Sequence, residues 1–355
     1  MKIGLIGLPR SGKTTIFNAL TRLEAPIAAQ SNGSAEPNVG VVRVMDKRVT
    51  RLSEFYLPRK TIYATVEFVD FTGLAEGAGK GAAFSATAVG TIKTMDALTL
   101  VIRNFEDEFT GSPSPEEDLH HVNDELLLAD LMVVETRLER IEKGNHRGLR
   151  NEIATREERI LRKILEGLNE NQPVRDMALS PDEERMIRGF QLLTKKPVMV
   201  ILNSDETRYG KNASLLERIS KTCRVIEFAG KFEMELSRLD EDEARLFMED
   251  MGIQESAYRR LTSLAYETLG YISFFTVGSD EVRAWNVRNG NTALDAAAAI
   301  HSDLARGFIR AECFSYRDFL KCGSEKGIRE TGLFRLEGKE YRIQDGDILS
   351  IRFNV

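Results

Sequence analysis

The segment GLPRSGKT, residues 7–14, is the feature that most restricts the fold of this chain. It fits the pattern G-x-x-x-x-G-K-[ST], and a predicted strand (Lys2–Ile6) precedes it while an apolar-periodic helix follows it, which is the context this motif requires. Glycines allow the backbone to form a cradle whose N–H groups, with the helix N-terminus behind them, face phosphate oxygens. The segment therefore predicts a nucleotide-binding P-loop rather than an ordinary glycine-rich turn.

The residue types in this loop have separate predicted tasks. Lys13 would neutralise the β- and γ-phosphates of a nucleotide, and the hydroxyl of Thr14 would be a ligand of Mg²⁺. The full set of predicted phosphate-binding residues is Gly7, Pro9, Arg10, Ser11, Gly12, Lys13, Thr14 and Thr15.

A second motif, Asp70-Phe71-Thr72-Gly73, ends the predicted strand Tyr63–Asp70. Asp70 is predicted to hold Mg²⁺ through water, and the N–H of Gly73 to contact a γ-phosphate and move when that phosphate leaves. The next residue, Leu74, cannot orient an attacking water as the Gln of Ras-like proteins does. No catalytic residue is therefore assigned, and water must be positioned by another group or hydrolysis is slow.

Predicted strands alternate with helices through much of the chain, and this order favours an α/β domain with a parallel sheet. Ligands of such sheets bind at the carboxyl ends of the strands. The further predicted strands are Ala97–Arg103, residues 198–203 and Arg224–Ala229.

The alternation is interrupted between residues 121 and 195. Apolar residues at alternating spacings of four and three form a coiled-coil seam, and a second charged helix with its own leucines follows a polar loop. The pattern predicts an antiparallel helical hairpin, whose charged tip is either a solvated surface or an RNA-facing patch. The seam residues are Leu127, Leu131, Val134, Leu138 and Ile141 on the first helix, and Leu161, Leu165 and Leu168 on the second.

From about residue 271 the pattern changes again. Strand-like segments surround a helix of small residues (Thr292–Leu304), and the turn-rich segment GKEYRIQDGDI comes near the end. A compact domain of strands around one helix is predicted. The division expected for the whole chain is therefore a nucleotide-binding domain, a helical insertion and a C-terminal domain, at residues 1–120 with 196–270, at 121–195 and at 271–355.

Composition limits the class of protein further. The formal net charge of −6, with 29% charged residues, does not suggest a chain that coats polyanions. No apolar run approaches the length of a membrane span, and the three cysteines lack a Cys-x-x-Cys spacing. We expect a cytoplasmic monomer without a disulfide framework, a zinc site or a membrane anchor.

Several strings together resemble the YchF or Obg-like ATPase family. They are the Pro of GLPRSGKT, EPNVGVV, VDFTGLAEGAGKG, ELLLADLMVVETRLERIEK, LLTKKPVMVILNSDE, EVRAWNVRNG and HSDLARGFIRAE, and they extend along nearly the whole chain. The resemblance implies a P-loop domain of the GTPase type, an inserted helical coiled coil and a C-terminal TGS domain of β-grasp type. It also implies association with the ribosome or the translation machinery, through the hairpin and the TGS domain.

The strand at residues 198–203 ends in Asn203-Ser204-Asp205-Glu206, where GTPases usually carry Asn-Lys-x-Asp. The GTPase Asp accepts hydrogen bonds from guanine N1–H and the N2 amino group, and Glu206 is one methylene too long to occupy the same position. Asn203 can still bond a purine edge. Loss of guanine selectivity follows from these residues, whereas ATP preference is implied by the resemblance, as is a place on the base for Ala229 and Gly230.

Three departures from the family pattern affect the expected mechanism. Arg10 replaces an Asn that can help to bind a monovalent cation, and its guanidinium either lies against phosphate or points to solvent. The segment before EPNVGVV, APIAAQSNGSA, is polar and irregular where relatives have a short aromatic-containing stretch. Within it, Ser34 still matches the family's switch hydroxyl near Mg²⁺, or is only a polar loop residue. The segment after Glu106 lacks a His that many relatives carry.

The sequence thus predicts a Mg²⁺-dependent switch that binds ATP and hydrolyses it slowly. Two alternatives stay open: a GTPase of the Obg class that still accepts GTP, and a nucleotide-binding regulatory protein with little hydrolysis.

Overall fold

The computed structural model describes residues 1–23, 25, 37–71, 86–146, 152–250 and 255–354. Within these ranges the strands are β1 (Lys2–Ile6), β2 (Asn38–Arg43), β3 (Lys60–Ile62), β4 (Thr65–Asp70), β5 (Ala97–Asn104), β6 (Val198–Ser204), β7 (Arg224–Phe228), β8 (Tyr271–Thr276), β9 (Glu281–Arg288), β10 (Phe308–Ser315), β11 (Arg335–Glu337) and β12 (Asp347–Phe353).

The helices of the same ranges are α1 (Lys13–Thr21), α2 (Lys47–Tyr56), α3 (Ala86–Lys93), α4 (Pro115–His146), α5 (Glu152–Asn169), α6 (Pro181–Ile187), α7 (Ala213–Ser220), α8 (Gly230–Leu236), α9 (Glu241–Asp250), α10 (Ala257–Leu269), α11 (Ala293–Ile300), α12 (Ser302–Arg306), α13 (Tyr316–Cys322) and α14 (Glu325–Glu330). Short 3₁₀ helices lie at Val174–Asp176, Arg188–Phe190 and Leu193–Lys195.

The first sheet has the strand order β2-β4-β1-β5-β6-β7. β1 pairs in parallel with β4 and β5, and β6 pairs in parallel with β5 and β7. Every residue of β5 and β6 is buried, which explains why both strands are mainly apolar in the sequence. Because the central strands are parallel, the segments that follow β1, β4, β5, β6 and β7 all lie at one edge of the sheet.

The predicted hairpin is confirmed in α4 and α5, which pack against each other. The expected seam is their shared core: Val134 and Leu161 are fully buried, and Leu131 and Leu165 are partly buried. Met177 and Ile187, which follow α5 in the chain, also pack on this cluster. The alternating spacing of four and three thus marked the packed face correctly.

The described chain divides into two compact units, residues 1–41 with 67–260 and residues 42–66 with 261–355. The hairpin therefore belongs to the same unit as the first sheet, and the second unit takes α2 and β3 from the N-terminal third of the chain. The three-domain division stays a prediction.

The second unit contains a sheet of order β11-β10-β12-β8-β9-β3. Its core includes Phe274, Ala297 and Leu349. The single helix predicted over Thr292–Leu304 is wrong: α11 and α12 are separated at His301, whose backbone is extended (φ −163°, ψ 144°). The His301 Nδ1 accepts a hydrogen bond from the Asp303 N–H (3.2 Å), so this side chain caps the second helix.

No helix in the part of the chain that the structure describes is long and apolar enough to cross a membrane.

Candidate phosphate and purine site

The loop between β1 and α1 has the glycines that its shape requires. Gly12 has φ 88°, a left-handed conformation that favours glycine, and a Cβ there would collide with the Asn203 side-chain amide. A Cβ at Gly7 would collide with the backbone carbonyl oxygen of Val101 on β5. Both glycines therefore allow the loop to lie close against the ends of the neighbouring strands.

Lys13 lies inside this loop with only 9% of its surface exposed. Its Nζ donates hydrogen bonds to the carbonyl oxygens of Gly7 (3.1 Å) and Leu8 (2.8 Å). Burial lowers the pKa of Lys13 to about 8, against the opposing effect of the nearby Asp70 carboxylate. The ammonium group is thus held by the loop that a phosphate would occupy, and a bound anion would raise its pKa again.

Thr14 and Asp70, which come from the two motifs, are in direct contact. The Thr14 Oγ1 donates to the Asp70 Oδ2 at 2.8 Å, and the Asn38 Nδ2 approaches the same oxygen at 3.4 Å. Burial raises the pKa of Asp70, although Thr14, Lys13 and Asn38 act in the opposite direction. The Asp70 Oδ1 and the Ser11 Oγ are buried without a hydrogen-bond partner among the described residues, and unpaired buried oxygens of this kind can accept a ligand.

The Arg10 side chain is exposed and contacts the segment that follows β5. Its Nε donates to both carboxylate oxygens of Asp107 (3.2 and 3.3 Å), and its guanidinium lies over the Phe109 ring, 4.0 Å from the ring centroid. Asp107 is itself held by the backbone N–H groups of Phe109 and Thr110 (3.1 and 3.0 Å). Arg10 therefore ties the P-loop to the segment that follows β5.

Asn203, at the end of β6, connects the P-loop to the beginning of α8. Its Nδ2 donates to the Ser11 carbonyl oxygen (3.0 Å), and its Oδ1 accepts from the Gly230 N–H (3.1 Å). Ala229 immediately precedes that helix and is buried. The structure thus brings Asn203, Ala229 and Gly230 together beside the P-loop, and their contact with a purine stays a prediction.

The two carboxylates after Asn203 differ in their surroundings. The Asp205 Oδ1 accepts from the Thr207 N–H (3.0 Å), the Thr207 hydroxyl (2.6 Å) and the Arg208 N–H (2.9 Å). Partial burial would raise the pKa of Asp205, but these hydrogen bonds outweigh it and hold the pKa below its usual value. Glu206 is exposed and has no hydrogen-bond or ion partner in the described ranges.

Ser204, which stands where GTPases carry a Lys, is buried in a polar network that sequence reasoning missed. Its hydroxyl donates to the Glu227 Oε1 (2.6 Å) and accepts from the Asn104 Nδ2 (2.9 Å). The one available signal was Glu227 itself, a charged residue inside the apolar segment RVIEFA.

The structure describes only some of the remaining predicted site residues. Pro9 is exposed and Thr15 is half-buried, on the P-loop and in the first turn of α1. Ser34 and Gly73, as well as Leu74, lie outside the described residues. The assignments of individual residues to phosphate, metal and base stay predictions.

This fold and this loop define a P-loop nucleotide-binding protein of the GTPase type. A family model described as "50S ribosome-binding GTPase" matches residues 2–138, and the YchF-GTPase_C model, described as "Protein of unknown function", matches residues 271–354. "Ribosome-binding ATPase YchF" of Bacillus subtilis (strain 168) is 37% identical over 364 residues, which cover 99% of each protein. The protein of the same name from Haemophilus ducreyi is 39% identical over 363 residues, which cover 100% of this chain and 99% of the relative.

A solved structure agrees with these relatives. The Schizosaccharomyces pombe YchF GTPase has a TM-score of 0.86 at 30% identity, and the match covers 99% of this chain and 97% of that one. The chain belongs to the YchF family. The expected fold, a P-loop domain of the GTPase type with a C-terminal domain, is thereby confirmed, while the TGS assignment of the C-terminal domain stays a prediction.

Proposed function

We propose that this chain binds ATP together with Mg²⁺, hydrolyses it slowly and associates with the ribosome. The observation that carries the nucleotide part is the convergence of Lys13, Thr14 and Asp70 at one edge of the first sheet. The names of the curated relatives, each a ribosome-binding ATPase, support the choice of nucleotide and partner. A cytoplasmic location is part of the same proposal, because ribosomes work there.

The residues present fit a Mg²⁺ ion. Thr14 and Asp70 are hard oxygen donors of the kind that Mg²⁺ prefers, and the Asp70 Oδ1 is buried without a partner among the described residues. In the part of the chain that the structure describes, no group of three His, Cys, Asp or Glu side chains could hold a metal. Such a sparse protein shell suits an ion that keeps waters and binds substrate phosphates, whose charge it would neutralise.

The chain's own residues would act mainly by positioning the phosphates. Lys13 would exchange its two carbonyl partners for phosphate oxygens, and the backbone N–H groups of the loop would hold the same oxygens. Asn203 would fix the position of this loop relative to the part of the site that faces the purine, because it bonds both Ser11 and Gly230. Water positioning is assigned to no residue.

The test is calorimetric titration of nucleotide-free protein with ATP and with GTP, each with Mg²⁺. We expect ATP to bind about tenfold or more tightly than GTP, and Lys13→Ala to abolish both binding and multiple turnover. Lys221→Ala, which alters an exposed lysine at the end of α7, is the matched control and should bind as the wild type does. Undiminished turnover in Lys13→Ala would refute the nucleotide site.

GTP is the second candidate, and two observations favour keeping it. The solved relative is named a GTPase, and the family model for residues 2–138 is described as one. Competition of GTP against labelled ATP separates the candidates. The double variant Ser204→Lys with Glu206→Asp, which restores the GTPase pattern, should increase GTP affinity if these positions read the base.

Ribosome association is tested by sedimentation of the full chain with ribosomes, with and without a non-hydrolysable ATP analogue. We expect co-migration that depends on the analogue. A protein that stays free of ribosomes in both gradients would remove this half of the proposal.

A further inference from the structure

Glu227 is a buried carboxylate that the proposed site does not otherwise use. It is 7% exposed and accepts three hydrogen bonds, all from neutral donors. The Ser204 hydroxyl (2.6 Å) and the Asn212 Nδ2 (2.5 Å) donate to its Oε1, and the Gly210 N–H donates to its Oε2 (3.1 Å). Burying a carboxylate is costly unless its oxygens are satisfied in this way.

The three donors come from the two ends of one loop, the segment 204–212 between β6 and α7. Ser204 is the last residue of β6, whereas Gly210 and Asn212 lie just before α7. Gly210 has φ 75°, so the backbone needs a glycine at the point where Glu227 holds it. Glu227 thus closes the loop by bonding both of its ends.

The shape of this loop determines which carboxylate is available to a bound purine. The Asp205 Oδ1 accepts three hydrogen bonds from the loop itself, and its Oδ2 lies 3.6 Å from the Arg208 Nη1, so the carboxylate is already satisfied within the loop. Glu206 remains exposed and without a partner among the described residues. A carboxylate satisfied within its own turn is a poor acceptor for the N1–H and amino group of guanine, because binding would first break those bonds.

We propose that Glu227 is a positioning residue for base discrimination. It holds the loop 204–212 in the conformation in which the Asp205 carboxylate bonds within the loop and the Glu206 carboxylate is available to the purine base. This inference rests on the proposed nucleotide-binding function. The ligand whose binding depends on Glu227 is the purine base, not the phosphates, because the network lies on the β6–α7 loop and not on the P-loop.

The test uses the full-length variant Glu227→Gln. Gln keeps the size of Glu but replaces one acceptor oxygen with an NH₂ group, which cannot accept from the donors that face it. Dissociation constants for ATP, GTP and inorganic tripolyphosphate are measured by competition against a fluorescent nucleotide. We expect the ATP-to-GTP preference to fall about tenfold, while the affinity for tripolyphosphate, which lacks a base, stays within about twofold.

Ser204→Ala removes one donor of the network and should move the preference in the same direction by a smaller factor. It also decides the question if Glu227→Gln does not fold. The matched control is Asp130→Asn, because Asp130 is another buried carboxylate of the same unit that accepts three hydrogen bonds from neutral donors. This control should leave the ATP-to-GTP preference unchanged.

Several results would overturn the inference. An unchanged preference in folded Glu227→Gln and Ser204→Ala would do so, and so would an equal weakening of ATP, GTP and tripolyphosphate, which is what a general structural role produces. A wild-type protein that binds both purines equally removes the inference but leaves nucleotide binding intact. Wild-type protein that binds neither nucleotide instead refutes the proposed function.

Discussion

Arg10 combines two features at the scale of a single residue, a left-handed backbone and a fixed side chain. Its φ is 63°, and its guanidinium contacts Asp107 and Phe109. We expect Arg10→Ala to lower the free energy of unfolding by about 1 kcal/mol, because Ala keeps the unfavourable φ and loses the contacts. Arg10→Gly should be nearly neutral, because glycine relieves the backbone while the same contacts are lost.

Urea unfolding of the two variants and the wild type measures this difference, provided that the m-value is unchanged. The two variants are controls for each other, since both remove the guanidinium. Equal stabilities of Arg10→Ala and Arg10→Gly would show that the left-handed backbone carries no cost here.

A second single residue, Cys313, makes the free energy of unfolding depend on pH. Burial, with Asp347 nearby, raises the pKa of this fully buried thiol to about 12, against the opposing effect of Arg335. The unfolded chain therefore releases this proton from about pH 9, whereas the folded chain keeps it. Stability from this group is fully present below pH 9 and is lost as the pH rises toward 12, at up to about 1.4 kcal/mol per pH unit.

The measurement is the difference in unfolding free energy between the wild type and Cys313→Ala at several pH values. The variant cancels the contributions of other titrating groups, so the difference should be constant below pH 9 and shrink above it. A difference that does not change with pH would contradict the assigned pKa shift.

The sequence could indicate single site residues where a local motif carries them. Lys13, Thr14 and Asp70 come from two short motifs and a strand pattern, and in the structure Thr14 contacts Asp70 while Lys13 lies near the same carboxylate. Their roles toward phosphate and Mg²⁺ stay predictions. The partners of Arg10 and Ser204 were not predictable in this way. Asp107, which follows β5, and Glu227, on β7, are 97 and 23 residues away in the chain, so only the folded sheet determines these contacts.

At the scale of elements, Asp130 joins the hairpin to the chain that returns to the sheet. Its carboxylate accepts from the N–H groups of Leu193 (2.7 Å) and Thr194 (2.8 Å) and from the Thr194 hydroxyl (2.7 Å). Asp130→Ala leaves these buried donors unpaired, and we expect a loss of about 3 kcal/mol in unfolding free energy.

Chemical denaturation measures this loss, and Glu139→Ala on the exposed surface of α4 is the control. Among the described residues, Glu139 makes only an exposed i,i+4 ion pair with Lys143 (3.2 Å), so its removal should cost less than about 0.5 kcal/mol. Similar losses in the two variants would show that the Asp130 contacts do not hold α4 in place.

At this scale, the strands that the sequence predicts well are those that are buried along their length. β5 and β6 are buried along their whole length, and their apolar runs indicated them to within one residue. β3 has only three residues and pairs with β9, more than two hundred positions further along the chain. No local pattern in Lys60–Ile62 could assign it to that sheet, because a strand of this length has almost no periodicity.

At the scale of the whole molecule, the second unit is assembled from two distant parts of the chain. β3 pairs in parallel with β9, and Arg48 on α2 donates to both carboxylate oxygens of Asp345 (2.7 and 3.2 Å). Tyr56 also bonds Glu325 (2.9 Å). A boundary drawn near residue 271 from the local pattern of strands and turns could not include residues 42–66, because strand pairing and side-chain contacts unite them with the C-terminal part.

This assembly predicts that a change in α2 weakens the C-terminal part of the second unit selectively. Arg48→Ala removes the paired guanidinium, which also bonds Asp46, and leaves Asp345 with fewer donors. We expect a loss of about 1–2 kcal/mol, less than for a fully buried pair because Asp345 is half exposed. Hydrogen exchange of the full chain should show faster exchange in β8, β9 and β12, while β5 and β6 keep their protection.

Arg59→Ala is the matched control, because Arg59 belongs to the same unit but forms an ion pair with Asp280 in which both side chains are more than four-fifths exposed. It should leave exchange in β8, β9 and β12 as in the wild type. Faster exchange in β5 and β6 of Arg48→Ala would mean that the two units unfold together. Unchanged exchange throughout would mean that the Arg48–Asp345 contact does not stabilise the second unit, since the residues of β3 and α2 would then be held by strand pairing and apolar packing alone.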